Sequence, residues 1–271
     1  MTGVNVDRAR IDTTPWLKPI IIVLAIAAGY FGVLPFLVPE WGAQVSGFVG
    51  KDIFIYRLTG AASFGYTVGL VAAWRDGWRG LRLPIIGMAV FAVGSIIACV
   101  SAIVAGEGTW LAYVVLLASS VFLALHLLLI RNPPARGEAV GSGAPDVADW
   151  VIYLVAFGSI AAAATGGLAL VLGGTGGQLL GGYSGTDSIV YRQVGAATLG
   201  SAVGGFLSIR TRRWGEMRGG LVGAFAFNGL SLVAALIEVA RGGVNLLSIA
   251  ILGVSLVVTI GLAVAIRRGG R

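Results

Sequence analysis

Residues 50–69 and 185–204 are written in one pattern, GKDIFIYRLTGAASFGYTVG and GTDSIVYRQVGAATLGSAVG, with ten of twenty positions identical. The identities are Gly50/Gly185, Asp52/Asp187, Tyr56/Tyr191, Arg57/Arg192, Gly60/Gly195, Ala61/Ala196, Ala62/Ala197, Gly65/Gly200, Val68/Val203 and Gly69/Gly204. Shifted by one residue, the match resumes at Trp78/Trp214, Arg82/Arg218, Gly87/Gly223, Phe91/Phe227 and Ser95/Ser231. A self-match at an offset of 135–136 in a chain of 271 residues reads as internal duplication. Such a chain is expected to fold as two like units, each with an Asp, a Tyr and an Arg where an apolar segment begins.

The solvent of those units follows from charge. Only 11% of residues are charged and 57% are hydrophobic, with a mean hydropathy of +0.91. A soluble domain carries roughly 25% charged residues, so this chain cannot cover itself with polar surface and must sit in lipid. One cysteine, Cys99, excludes an internal disulfide and a cysteine metal cluster. One histidine, His126, excludes a bis-His haem within the chain. No catalytic set is legible, so the reading is of a protein that is not an enzyme and needs no cofactor or metal.

A helix needs about 20 mostly apolar residues to cross a bilayer. Eight stretches qualify, about 16–38, 53–74, 83–105, 110–130, 149–173, 188–209, 219–240 and 244–266. The first is too long for a signal-peptide core and is read as retained. Pro84 is read in the first turn of the third span, where a missing N–H costs nothing. The expected fold is all-α and integral to the membrane, with eight transmembrane helices in two parallel four-helix repeats. An even span number per half makes the relating axis a pseudo-twofold along the membrane normal, as if a homodimeric four-span ancestor had been fused. The first repeat is 1–130, the second 149–271, and 131–148 is a cytoplasmic linker marked by its Gly, Ser and Pro content.

Basic residues orient the chain. The N-terminus, the even-numbered inner loops and the C-terminus hold 15 of the 19: Arg8, Arg10, Lys18, Arg75, Arg79, Arg82, Arg131, Arg136, Arg210, Arg212, Arg213, Arg218, Arg267, Arg268 and Arg271. The other side holds Lys51, Arg57, Arg192 and Arg241. By the positive-inside rule both termini are cytoplasmic, in a multi-pass protein of the inner cell membrane. The basic side then meets anionic lipid headgroups, and no nucleic-acid partner is implied.

At 100° per residue, positions four apart share a helix face. Arg57, Ala61, Gly65 and Gly69 form one stripe, and Arg192, Ala196, Gly200 and Gly204 its copy. Small-residue stripes let helix backbones approach closely in lipid, so Ala61, Gly65, Gly69, Ala196, Gly200 and Gly204 are expected at helix contacts. Asp52, Tyr56, Arg57, Asp187, Tyr191 and Arg192 form the candidate polar site. The carboxylates suit N-caps. Asp52 and Arg57 diverge by about 140° on their own helix, so the expected pairs are reciprocal, Arg57 with Asp187 and Arg192 with Asp52.

Other polar residues have plainer readings. Glu238 and Arg241 are expected to pair locally. Asn228, aligned with Ala92, is expected in an interhelical hydrogen bond. His126, aligned with Leu262, is read as satisfied or interfacial. Trp78 with Arg82 and Trp214 with Arg218 read as interfacial anchors. The run Gly173–Gly177 is expected to be a flexible loop. Two function classes remain. One is transport or permeation of a small, anionic or lipidic solute through a site between the repeats. The other is a non-catalytic assembly or accessory subunit of a membrane complex, with a protein partner or a second copy. A polar, water-accessible cavity ending at Arg57 and Arg192 would favour the first, and a dry, closely packed core with an exposed apolar groove the second.

Overall fold

The computed structural model describes residues 14–49, 51–133, 146–181 and 187–271. Most of the 131–148 linker, with Arg136, and the charged N-terminal stretch holding Arg8 and Arg10 lie outside the described residues. So do Gly50 and Gly185.

The described residues form ten α-helices and no strand. They are α1 (Thr14–Leu37), α2 (Pro39–Val45), α3 (Ile53–Ala73), α4 (Gly77–Val104) and α5 (Trp110–Arg131), then α6 (Asp149–Leu172), α7 (Gly174–Gly181), α8 (Ser188–Thr211), α9 (Trp214–Ala240) and α10 (Leu246–Arg267). A 3-10 turn at Trp74–Asp76 links α3 to α4.

Local chemistry sets several boundaries. Pro39 opens α2, where its missing N–H has no helical acceptor to lose. Gly173 ends α6 at φ +54, a conformation an L side chain rarely takes. A reciprocal cap opens α10: the Asn245 side chain accepts from the Ser248 N–H at 2.8 Å, and the Ser248 hydroxyl accepts from the Asn245 N–H at 3.0 Å.

Three expectations are corrected here. Pro84 lies inside α4, which starts at Gly77, and not in its first turn. The seventh long apolar segment begins at Trp214 rather than near 219. The glycine run is not a loop, since Gly174–Gly181 is helical. A Cβ on Gly177 would stand against the Tyr191 ring, so that glycine is a packing residue.

Six helical stretches are long and apolar enough to cross a membrane: Pro15–Leu37, Ile53–Val104, Trp110–Arg131, Asp149–Leu172, Trp214–Ala240 and Leu246–Arg267. The chain is a multi-pass α-helical membrane protein. Ile53–Val104 contains both α3 and α4, and its most apolar window is 61% buried against 17–28% for the other five. This stretch lies at the centre of the bundle. Ile26, Val104, Leu117, Tyr153, Val171 and Ile260 are among the large apolar side chains left outside, which is where acyl chains belong.

The most extensive helix contacts follow one scheme. Helix α3 packs on α9, and α8 packs on α4. Around these four, α1 lies on α3 and α6 on α8, while α5 lies on α4 and α10 on α9. The N-terminal and C-terminal halves are thus interleaved rather than side by side.

Glycine makes that interleaving close. A Cβ on Gly223 of α9 would sit 2.7 Å from the Gly65 carbonyl of α3, and one on Gly65 would sit 3.0 Å from the Gly223 carbonyl. On the α4–α8 side, a Cβ on Gly87 would sit 2.8 Å from the Gly200 carbonyl. The flanking contacts repeat this arrangement. A Cβ on Gly60 would meet the Gly32 carbonyl at 2.5 Å, and one on Gly195 the Gly166 carbonyl at 2.6 Å. Backbone against backbone gains dispersion contact in a solvent where hydrophobic burial drives nothing.

Candidate functional site

The Asp-x3-Tyr-Arg motif stands at the start of α3 and again at the start of α8, on one end of the bundle. Asp52 and Asp187 occupy the N-cap positions, but neither side chain caps its helix. Both are almost fully buried. Asp187 is held from the other half instead. The Tyr56 hydroxyl donates to Asp187 Oδ2 at 2.9 Å, and the Val49 N–H donates to Oδ1 at 3.2 Å. Among the ion pairs of the described residues, the reciprocal pairs expected from the helical angles, Arg57 with Asp187 and Arg192 with Asp52, do not occur. A cross-half contact exists, but tyrosine makes it.

Arg57 and Arg192 occupy different surroundings. Arg57 is buried, with no carboxylate of the described residues within ion-pair distance, and its Nη1 has no hydrogen-bond partner among them. The charges acting on it are Arg241, Glu40 and Glu238. Arg241 pairs across to Glu40 of α2 at 3.8 Å. The local Glu238–Arg241 pair expected three residues apart is not formed. Arg192 is only half-buried, and its guanidinium lies over the α6–α7 turn, where a Cβ on Gly173 would come within 3.3 Å. The two arginines are equivalent in sequence and not in setting.

The small-residue stripes face protein. Ala61, Gly65, Gly69, Ala196 and Gly200 are buried, and Gly204 is half-buried. A Cβ on Gly69 would meet the Gly219 carbonyl at 3.2 Å, and one on Gly204 the Leu83 carbonyl at 3.8 Å. At the far end of the bundle, Arg218 pairs with Asp76 of the other half at 3.2 Å, and Arg212 pairs with Asp149. Arg218 is thus a cross-half tether more than a lipid anchor. Asn228 bonds within its own helix, to the Ala224 carbonyl at 2.8 Å, and not between helices.

Two elongated cavities flank the core. The first, about 220 Å³, lies between α1 and α5, with α3, α4 and α8 as its floor. The second, about 470 Å³, lies between α6 and α10, with α3, α4, α8 and α9 behind it. No Asp, Glu, Lys or Arg lines either one, and Asp52, Arg57, Asp187 and Arg192 are absent from both walls. Tyr56 borders the first and Tyr191 the second.

The floor of the first cavity carries a hydrogen-bonded set that the sequence reading missed. Ser119 donates to Ser95 Oγ at 3.0 Å, and Ser95 donates to Gln193 Oε1 at 2.7 Å. The Gln193 amide lies 3.4 Å from Cys99 Sγ. The second cavity holds Ser231 and Ser255 where the first holds Ser95 and Ser119, but has Leu58 for Gln193 and Leu262 for His126. A signal was available: Gln193 breaks an otherwise apolar stretch just after the repeated motif, at a position where the first copy has leucine.

Among the described residues no three His, Cys, Asp or Glu side chains converge. Compared with known proteins, the chain matches no family model, and no curated protein and no solved structure matches it.

Proposed function

We propose that this protein is a non-catalytic accessory or assembly subunit of a membrane complex. One observation carries the reading: no charged side chain lines either cavity, and the Asp and Arg of the repeated motif stand outside both, only its tyrosines bordering them. A path for an anionic solute would place its cationic groups where the solute passes. Here the carboxylate Asp187 is engaged in joining the starts of two helices. The repeated use of glycine at helix contacts builds a closely packed scaffold with a broad apolar outer face.

In this reading the scaffold is two parallel four-helix repeats about an axis normal to the membrane. The interleaved contacts support it, because exchanging the halves turns α3 on α9 into α8 on α4. Helices α3 and α4 then cross separately, and α8 crosses despite Arg192, Gln193 and Arg210, for eight spans. The 15-to-4 division of basic residues supports cytoplasmic termini and an inner-membrane location.

A second reading, movement of an uncharged lipidic solute, is favoured by the larger cavity. It touches both halves and is lined by hydroxyls of Ser159, Thr165, Thr198, Ser201 and Ser255. Two measurements separate these readings. Native mass spectrometry of gently extracted membranes should find the chain in a defined hetero-complex that is lost on its deletion. Reconstituted vesicles should show no protein-dependent anion flux. Recovery only as a free chain, with every membrane complex intact after deletion, would overturn the accessory reading. So would anion uptake that Arg57→Ala abolishes.

A further inference from the structure

The first cavity holds a buried group that the scaffold does not use. His126 lines it, is 1% exposed, and has no hydrogen-bond partner at either ring nitrogen. The Phe122 carbonyl, one turn back, is near enough to draw one ring N–H weakly, short of good hydrogen-bond geometry, and the other nitrogen has no partner. Leaving a buried polar group unsatisfied costs about 1–3 kcal/mol. The aligned position in the other half is Leu262, also buried, so the fold itself does not require histidine there.

The cavity has the shape of a groove along α5. Leu111, Val115, Ser119, Phe122 and His126 fall on one face of that helix and all line it. Between Trp110 and His126 the helix rises about 24 Å. Helices α1 and α5 scarcely touch, and the rim residues Tyr30, Trp41 and Trp110 are more than half exposed. The groove is therefore open sideways, where lipid lies. Its walls carry no charge, so a phosphate or carboxylate headgroup would be desolvated without a partner. Phe122, one turn from His126, and Phe91 line the same cavity, and Phe91 is backed by Tyr66 in a parallel stack at 5.6 Å.

From these features we infer that the groove between α1 and α5 binds an isoprenoid quinone, its ring among Phe91, Phe122 and His126 and its tail along α5. Neutral imidazole presents one N–H donor and one lone-pair acceptor. It can donate to a quinone carbonyl or accept from a quinol hydroxyl. The aromatic faces suit a flat ring, and the remaining wall suits a neutral chain. The second cavity, with Leu262 and Leu58 in the matching places, lacks this polar end and would hold a chain only. The site stands whichever complex the scaffold serves.

The test uses the full chain in phosphatidylcholine nanodiscs, titrated with decylubiquinone and read by tryptophan quenching and by melting temperature. Wild type should bind and be stabilised. His126→Leu should weaken binding at least about tenfold, equivalent to about 1.4 kcal/mol, and should melt no lower than wild type without ligand. Val115→Trp, which fills the groove, should also lose binding. Phosphatidylglycerol should not compete. Absence of binding to wild type overturns the inference. So does His126→Leu binding as well as wild type while Val115→Trp fails, which would mark a groove for acyl chains with no recognition of the ring. Should His126→Leu not fold, His126→Gln decides: it keeps a donor and an acceptor, and loss of binding in Val115→Trp with retention in His126→Gln supports the site, while any other pairing overturns it.

Discussion

Ser201 Oγ lies 3.3 Å from the hydroxyl of Tyr66, and the two residues hold the same position in the two copies of the sequence pattern. A position that touches its own counterpart must lie close to whatever axis relates the copies. Tyr66 also donates to the Ala197 carbonyl of α8 at 2.7 Å. The tyrosine thus crosses the place where the proposed axis would run and closes it with a ring.

Tyr66→Phe keeps that ring and removes the hydroxyl. The buried Ala197 carbonyl already serves its helix, so the loss should be about 0.5–1.5 kcal/mol. A small fall in melting temperature in detergent is expected. An unchanged midpoint would show that the hydroxyl contributes nothing across the halves.

The cross-half bond from Tyr56 to Asp187 should be worth more, because its acceptor is a buried carboxyl. Tyr56→Phe is expected to cost about 1.5–3 kcal/mol. In a double-mutant cycle with Asp187→Asn the two effects should be clearly less than additive. Strict additivity would show that the two side chains do not act together.

Glycines separate into two groups that a single substitution distinguishes. Gly87→Ala and Gly223→Ala each drive a methyl into a carbonyl across a helix contact. Overpacking of this kind costs about 1–3 kcal/mol. Gly220→Ala and Gly253→Ala meet nothing within 4 Å, and alanine is the better helix former by about 1 kcal/mol. The first pair should lower the unfolding midpoint and the second should hold or raise it. Equal behaviour of all four would contradict the packing described here.

Arg57 carries a buried charge with no carboxylate of the described residues in ion-pair range. Apolar replacement of such a charge is often neutral or stabilising. Arg57→Met should therefore melt at or above the wild-type temperature. A sharp fall would mean that Glu40 and Glu238 hold the guanidinium more firmly than their separation suggests.

Much of the helix layout was legible because apolar length and glycine spacing are one-dimensional signals. The expected segments near 53–74 and 110–130 fall on α3 and α5 within a residue or so. The partners were not legible. Helical angles separate Asp52 from Arg57, but they do not say whether Tyr56 or Arg57 reaches the other half, since that depends on how far α3 and α8 are turned toward each other. Glu238 and Arg241 sit at a spacing that favours a pair, yet α2 brings Glu40 to Arg241. That short helix of seven residues has too little length to announce itself. His126 was legible as an odd residue, but its isolation is a property of a groove formed by α1 and α5, which are far apart in sequence.

Interleaving of the halves carries a consequence for biogenesis. When the ribosome has inserted α3 and α4, the surfaces of Gly65, Gly69 and Gly87 face no counterpart, because Gly219, Gly223 and Gly200 are still unmade. The nascent N-terminal half must wait in the bilayer with its tightest seams open, and any other small-faced helix could enter them. Synthesis of the two halves as separate chains should then yield neither alone as a stable product. Supplied together, they should find each other, because each completes the seams that the other leaves open.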